Sequence, residues 1–169
     1  GNGAAMRVAP LGAWFLTDLP RVVAQATLSA EVTHTHPEGI AGAVAVAVAS
    51  ALSARRELTL EAVVALTPAS SVRDGLARAA QLAFTTEPSK ASDILGSGKR
   101  YRAEDTVPFA VWSACRHPDD LVSALWTTSE GLGDVDTTCA ITGGIVAART
   151  SVDAVPQEWL LRREPLPGG

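Results

Sequence analysis

Ile40-Ala41-Gly42-Ala43-Val44-Ala45-Val46-Ala47-Val48-Ala49-Ser50-Ala51, inside the apolar run from Gly39 to Arg55, decides the fold class. From Ala43 to Ala49 it alternates two by two, as a strand does. Three features favour a helix instead. The run is roughly four turns long, it is dominated by alanine, and Pro37 stands at its start, where a first helical residue tolerates the missing N–H. The expected product is a buried helix whose alanines let neighbouring helices approach.

Working outward, the same signals recur. Pro20 to Ala30 carries Val22, Val23, Ala26 and Leu28 at helical spacing. Thr59 precedes a helix over Leu60 to Leu66. Ser71-Val72-Arg73-Asp74 reads as a capping box with Asp in the last place, followed by a face of Val72, Leu76, Ala79, Ala80 and Phe84. Thr86 to Arg100, with Gly96-Ser97-Gly98-Lys99-Arg100 at its end, reads as the loosest part; its glycine loop beside two cations could hold phosphate, and is more often a solvated turn. Thr106 reads as the cap of the helix containing Pro108, and Asp119-Asp120 as first-turn acids of a helix with Leu121, Leu125 and Trp126 on one side. At the start, Gly1-Asn2-Gly3 enters a short helix that Pro10 ends or kinks. Near the end Trp159 is an anchor, and Pro165 to Gly169 a loose tail. No internal repeat stands out, and about eight helices make the chain all-α.

Composition bounds the function. The 169 residues suit one domain with a sizeable core. A formal charge of -4 argues against nucleic-acid duplexes and anionic membranes, which need a basic face. Cys115 and Cys139 are too few and too far apart for a disulfide framework, so a reducing cytoplasm is the expected setting. No signal peptide is read, and Gly39 to Ala54, with its two serines, reads as too mild to span a bilayer.

Chemistry concentrates in Gly131-Leu132-Gly133-Asp134-Val135-Asp136-Thr137, a glycine turn that feeds an apolar helix rich in small residues. Two carboxylates two residues apart converge in such a turn, with the Thr137 hydroxyl facing the same way. Oxygen donors of this kind suit Mg²⁺ or Mn²⁺. On spacing alone a plain helix cap is the commoner explanation. Thr33-His34-Thr35-His36-Pro37-Glu38 offers two histidines at i, i+2. Without a third ligand these make a poor zinc site, and the segment reads as a helix entrance with Thr35 or His36 capping.

Gly-Asp-x-Asp-Thr before a small-residue helix resembles the C-terminal metal motif of the ADP-ribosylglycohydrolases, the relatives of the dinitrogenase reductase-activating glycohydrolase. Gly1-Asn2-Gly3-Ala4-Ala5-Met6-Arg7 resembles the segment that lines the ADP-ribose cleft in that family. The Thr-His pair before a helix, the Gly-x-Gly loop and the segment Asp105 to Trp112 follow in matching order. The resemblance implies an all-α orthogonal multi-helix bundle over residues 1–169. It implies hydrolysis of the bond between ADP-ribose and an acceptor, on a protein side chain or in a small molecule. It implies Asp134, Asp136 and Thr137 as ligands of Mg²⁺ or Mn²⁺, two ions in a complete enzyme. Asn2, Gly3, Arg7, His34 and Gly98 would contact substrate, with His36 a second choice to His34.

One family feature is missing. A Thr-Asp-Asp motif, which supplies the remaining metal ligands, has no match: Thr17-Asp18 is followed by Leu19, and Asp119-Asp120 is preceded by Pro118. The chain therefore reads as the C-terminal portion of a single ADP-ribosylglycohydrolase-like domain, incomplete at its N-terminus. Its catalytic acid or base is expected in the absent portion, which would complete it in the same chain or as a separate one. The alternative is a non-catalytic helical module that binds ADP-ribose or a protein.

Overall fold

A computed structural model describes residues 1–165; of the expected loose tail, residues 166–169 lie outside the described residues. Within them the chain forms eleven α-helices, two 3-10 turns and no strand. The first half contains α1 (Gly3–Arg7), α2 (Ala9–Trp14), α3 (Leu19–Glu31), α4 (Pro37–Ala54), α5 (Leu60–Leu66) and α6 (Ser71–Ala80). The second contains α7 (Pro88–Leu95), α8 (Val107–Arg116), α9 (Leu121–Glu130), α10 (Val135–Ala147) and α11 (Gln157–Arg162).

The run of alternating alanine and valine is α4, and 14 of its 18 residues are buried. α1, α2, α3 and α10 pack around it, with α5, α6 and α8 at its remaining sides. A helix enclosed on every side has no polar stripe, so its apolar pattern carries no helical period. Small residues set how closely the neighbours come. A Cβ on Gly12 of α2 would run into the Ala47 carbonyl of α4, and the Ser50 hydroxyl of α4 donates to the Ala9 carbonyl at 2.7 Å. By length and composition α4 is apolar enough to cross a membrane, contrary to the expectation drawn from its serines, but 78% of it is buried inside this fold.

The second half packs around α8, where Phe109 and Trp112 are fully buried and their rings stack at 6.1 Å. The Trp112 indole donates to the Leu82 carbonyl. A hydroxyl relay joins three helices. Thr128 of α9 donates to Thr142 of α10 at 3.0 Å, and Thr142 donates to the Ala110 carbonyl of α8 at 3.0 Å. Each buried hydroxyl in the relay is thus satisfied, as a dry interior requires.

Several caps are where the sequence puts them. Thr59 accepts from Ala62 N–H, and His36 from Glu38 N–H. Others differ because a distant group competes. α6 is capped by Ser70, one residue earlier than expected, and the N–H groups of Ser71 and Val72 donate to the Glu38 carboxylate of α4. Pro10 starts α2 instead of ending α1. Thr86 to Arg100 contains α7, not merely a loop. Phe84 lies beyond α6 and, like Trp126, is exposed. Asp120 caps α9 by accepting from Ser123, while Asp119 forms a two-pronged ion pair with Arg149 at 2.6 Å. Trp159 is only half-buried on α11, a helix with no buried residue; Ala154 and Val155 meet the core instead.

The contact between α2 and α4 yields a prediction. Gly12→Ala forces the two backbones apart and should destabilise the fold by about 3 kcal/mol, at the upper end for overpacking. Gly143→Ala in α10 meets only Leu125 Cδ2, at 3.4 Å. It should be neutral or stabilising by less than about 1 kcal/mol through helix propensity. Thermal melting of both variants checks the contrast.

Candidate active site

Asp134 occupies the N-cap position of α10, yet its side chain makes no capping hydrogen bond. Its backbone does the local work: the Asp134 carbonyl accepts from the N–H and the hydroxyl of Thr138, each at 3.0 Å. The carboxylate points elsewhere. Its Oδ2 accepts from the Asn2 side-chain amide at 2.9 Å, across 132 residues of sequence. The Asp136 carboxylate lies beside it. Its pKa is held below the ordinary carboxylate range by the Asp134 carboxyl, when that group carries a proton to donate, and by the backbone N–H groups of Thr137 and of Asp136 itself. Asp136 is exposed, while Thr137 is nearly buried beside it in the first turn of α10.

The Gly-Ser-Gly loop forms the wall next to this turn. Ser97 and Gly98 are buried, so the loop is not the solvated turn expected. The Gly98 N–H donates to the Asp105 carbonyl at 2.6 Å, and Asp134 N–H donates to the Ser97 carbonyl at 2.9 Å. Gly98 has φ +81°, and a Cβ there would sit 2.7 Å from the Asp134 Cβ. Only glycine lets the loop lie this close to the carboxylate. The adjoining cations are partly engaged: the Arg100 guanidinium lies 3.7 Å from the Asp105 carboxylate.

Asn2 carries the cluster into the N-terminal segment. The His34 ring packs against the backbone of Gly1 and Gly3, and a Cβ on Gly3 would meet His34 Cε1 at 3.1 Å. Arg7 lies on the far side of this histidine. Its guanidinium donates to the Thr33 hydroxyl at 2.7 Å and to the Ser29 carbonyl, and Thr33 Oγ1 is 2.8 Å from His34 Nδ1. Arg7 takes one lone pair of the Thr33 hydroxyl; when that hydroxyl donates its proton to Nδ1, the ring N–H is on Nε2. Burial, and to a smaller extent the positive Arg7, holds the His34 pKa below its ordinary value.

The structure thus draws Asn2, Gly98, Asp134 and Asp136 into one cluster, with Thr137 beneath it and Gly3 and His34 alongside through Asn2. Arg7 sits behind His34. His36 is used as the cap of α4. Thr106 was read from the sequence as a helix cap, but it makes no capping hydrogen bond. Its buried hydroxyl instead donates to the Arg102 carbonyl and accepts from Asn2 at 3.1 Å. No local sequence signal marks that role, because the partner is 104 residues away.

A cavity of about 320 Å³ opens beside Gly1, lined by His36, Glu38, Arg102 and Glu104. A larger one, about 410 Å³, is lined by residues of α6, the end of α7 and the loop after it, and by none of Asn2, His34, Gly98, Asp134 or Asp136. The convergent polar groups, not cavity size, mark the chemistry here. Among the described residues no three His, Cys, Asp or Glu side chains come together as a metal cluster.

Residues 1–166 match the family model described as ADP-ribosylglycohydrolase. The chain is 37% identical over 164 residues to an uncharacterised protein of Archaeoglobus fulgidus, a match covering 94% of this chain and 52% of that protein. The chain therefore spans about half the length of the curated relative it matches.

The His34 geometry is open to direct measurement. Its imidazole should titrate below the ordinary 6.5 and stay neutral, in the Nε2–H form, at pH 7. Arg7→Ala removes a positive neighbour and a partner of Thr33, so it should move the midpoint upward. ¹⁵N NMR of the imidazole reads both the tautomer and the midpoint.

Proposed function

From the premise that this chain belongs to the ADP-ribosylglycohydrolase family, we propose that it forms part of an enzyme hydrolysing the glycosidic bond between ADP-ribose and an acceptor. The observation that carries this reading is Asp134: a carboxylate in a cap position that does not cap, but meets Asp136 and Asn2. An acid whose only role is to cap would bond the free N–H groups of its helix.

The donor set supports a hard divalent cation. Asp134 and Asp136 converge, both are oxygen donors, and no hydrogen bond of the Thr137 hydroxyl is found among the described residues. These three would hold Mg²⁺ or Mn²⁺, and a complete enzyme would hold two ions. When bound, such a cation lowers the pKa of water and orients hydroxyl oxygens. This chain supplies at most three of the six or more ligands such a cation wants. The remainder would come from water and from a further segment with the Thr-Asp-Asp motif, in the same chain or as a separate one. The catalytic acid or base belongs to that segment in this reading.

The residues of this chain shape the substrate. Gly3 and Gly98 let His34 and the Asp134 turn pack against their backbone, and in this reading both border the substrate. His34, oriented by Arg7 through Thr33, presents its Nε2–H toward the Gly1–Gly3 segment, where a phosphate or ribose oxygen would accept it. In the reaction the bond from the anomeric carbon to the acceptor atom breaks and a bond to water oxygen forms. One water proton passes to the leaving acceptor. Positive charge develops at the anomeric carbon, so nearby carboxylates favour the transition state. The acceptor is a protein side chain or a small molecule, and the setting is the cytoplasm.

The test is hydrolysis of ADP-ribosylated arginine and serine substrates with Mg²⁺, by residues 1–169 alone and by the protein expressed from its whole coding sequence. Turnover is expected in the second and little or none in the first. Asp136→Asn in the complete protein should lower turnover by at least about a hundredfold and reduce Mg²⁺ binding in calorimetry. ADP-ribose binding without turnover in the complete protein would favour the non-catalytic module.

A further inference from the structure

We infer that Asn2 and Thr106 form a positioning device for Asp134, and that the Asn2 side chain serves the carboxylate instead of contacting substrate. The inference rests on the proposed cation-holding role of Asp134. Asn2 is 8% exposed, and its Nδ2 amino group points at two acceptors: Thr106 Oγ1 at 3.1 Å and Asp134 Oδ2 at 2.9 Å. The direction is forced by chemistry. An ionised carboxylate only accepts, and the one proton of the Thr106 hydroxyl is committed to the Arg102 carbonyl at 2.7 Å. Neither neighbour can donate, so the amide oxygen cannot take the place of the amino group. Thr106 is fully buried at the entrance of α8, which makes it a rigid reference point. The relay from Arg102 carbonyl through Thr106 and Asn2 to Asp134 therefore fixes one carboxylate oxygen. It holds the group off the helix end it would otherwise cap. Groups that orient a metal-binding carboxylate in this way influence affinity by about 10–100-fold.

The experiment measures Mn²⁺ binding to the complete protein for wild type, Asn2→Ala, Thr106→Val, Thr106→Ser and Asp136→Asn, with melting curves for each. Affinity should fall about tenfold or more in Asn2→Ala and Thr106→Val, and Thr106→Ser should restore it by keeping the hydroxyl. If Thr106→Val does not fold, Asn2→Ala decides. Saturating Mn²⁺ should return turnover in Asn2→Ala with an unchanged KM for substrate. A raised KM at saturating Mn²⁺ would mean that Asn2 touches substrate, and would overturn the inference. Equal Mn²⁺ affinity in wild type and Asn2→Ala, with loss in Asp136→Asn, would also overturn it while leaving the cation site standing. No Mn²⁺ binding by the wild-type protein would overturn the cation site itself, and the device with it.

Discussion

The enclosure of α4 is the constraint on which the rest of this molecule depends. A helix with neighbours on every side must be apolar throughout and must be thin. Valine and alanine meet both needs. Valine supplies buried area, at roughly 25 cal/mol per Å², and alanine lets other backbones approach. The Gly12 contact with Ala47 and the Ser50 bond to Ala9 fix α2 and, through Val8, the end of α1. α1 in turn begins at Gly3, directly after Asn2. The position of the site amide is therefore set by core packing and not by the loop that carries it.

The site itself joins parts of the chain that are far apart in sequence. Asn2, the loop at Gly98, Thr106 and the turn at Asp134 meet through hydrogen bonds that span more than a hundred residues in two cases. Such bonds carry the entropic cost of closing a long loop. They are also mutually dependent. Loss of Thr106 would leave an Asn2 donor unpaired in a nearly buried place, and unpaired buried donors cost about 1–3 kcal/mol. This interdependence is what makes the arrangement single-valued.

Local signals made much of the fold legible. His36 with Pro37, and Thr59 before Leu60, announce their helices because capping is decided within three or four residues. The carboxylates of Asp134 and Asp136 were legible as a pair for the same reason: two residues in one turn cannot be far apart. What stayed hidden was long-range competition. Nothing near Ser71 says that its N–H will be taken by Glu38. Nothing near Thr106 says that its hydroxyl will face Asn2 and not its own helix. Asp119 looked like a first-turn acid, but Arg149 lies 30 residues on and wins it by a two-pronged ion pair. The Gly-Ser-Gly loop looked solvated, since its composition is that of a turn; it is buried because Asp105 and Asp134 close over it.

These misreadings share one cause. Ser, Thr, Asp and Asn have short polar side chains that can bond their own backbone or something distant. The local bond is favoured by entropy alone, since its partner is always near. A distant partner wins only when packing has already brought it into reach. Asp134 shows the consequence most clearly. Its own helix offers N–H groups at no entropic disadvantage, and the side chain declines them. The backbone carbonyl of Asp134, bonded twice by Thr138, keeps the helix start orderly without the side chain. The positive end of the α10 dipole still favours two charged carboxylates there. The helix start thus does without the Asp134 side chain, its N–H groups meeting the Asp136 carboxylate instead, while Asn2 orients the Asp134 carboxylate.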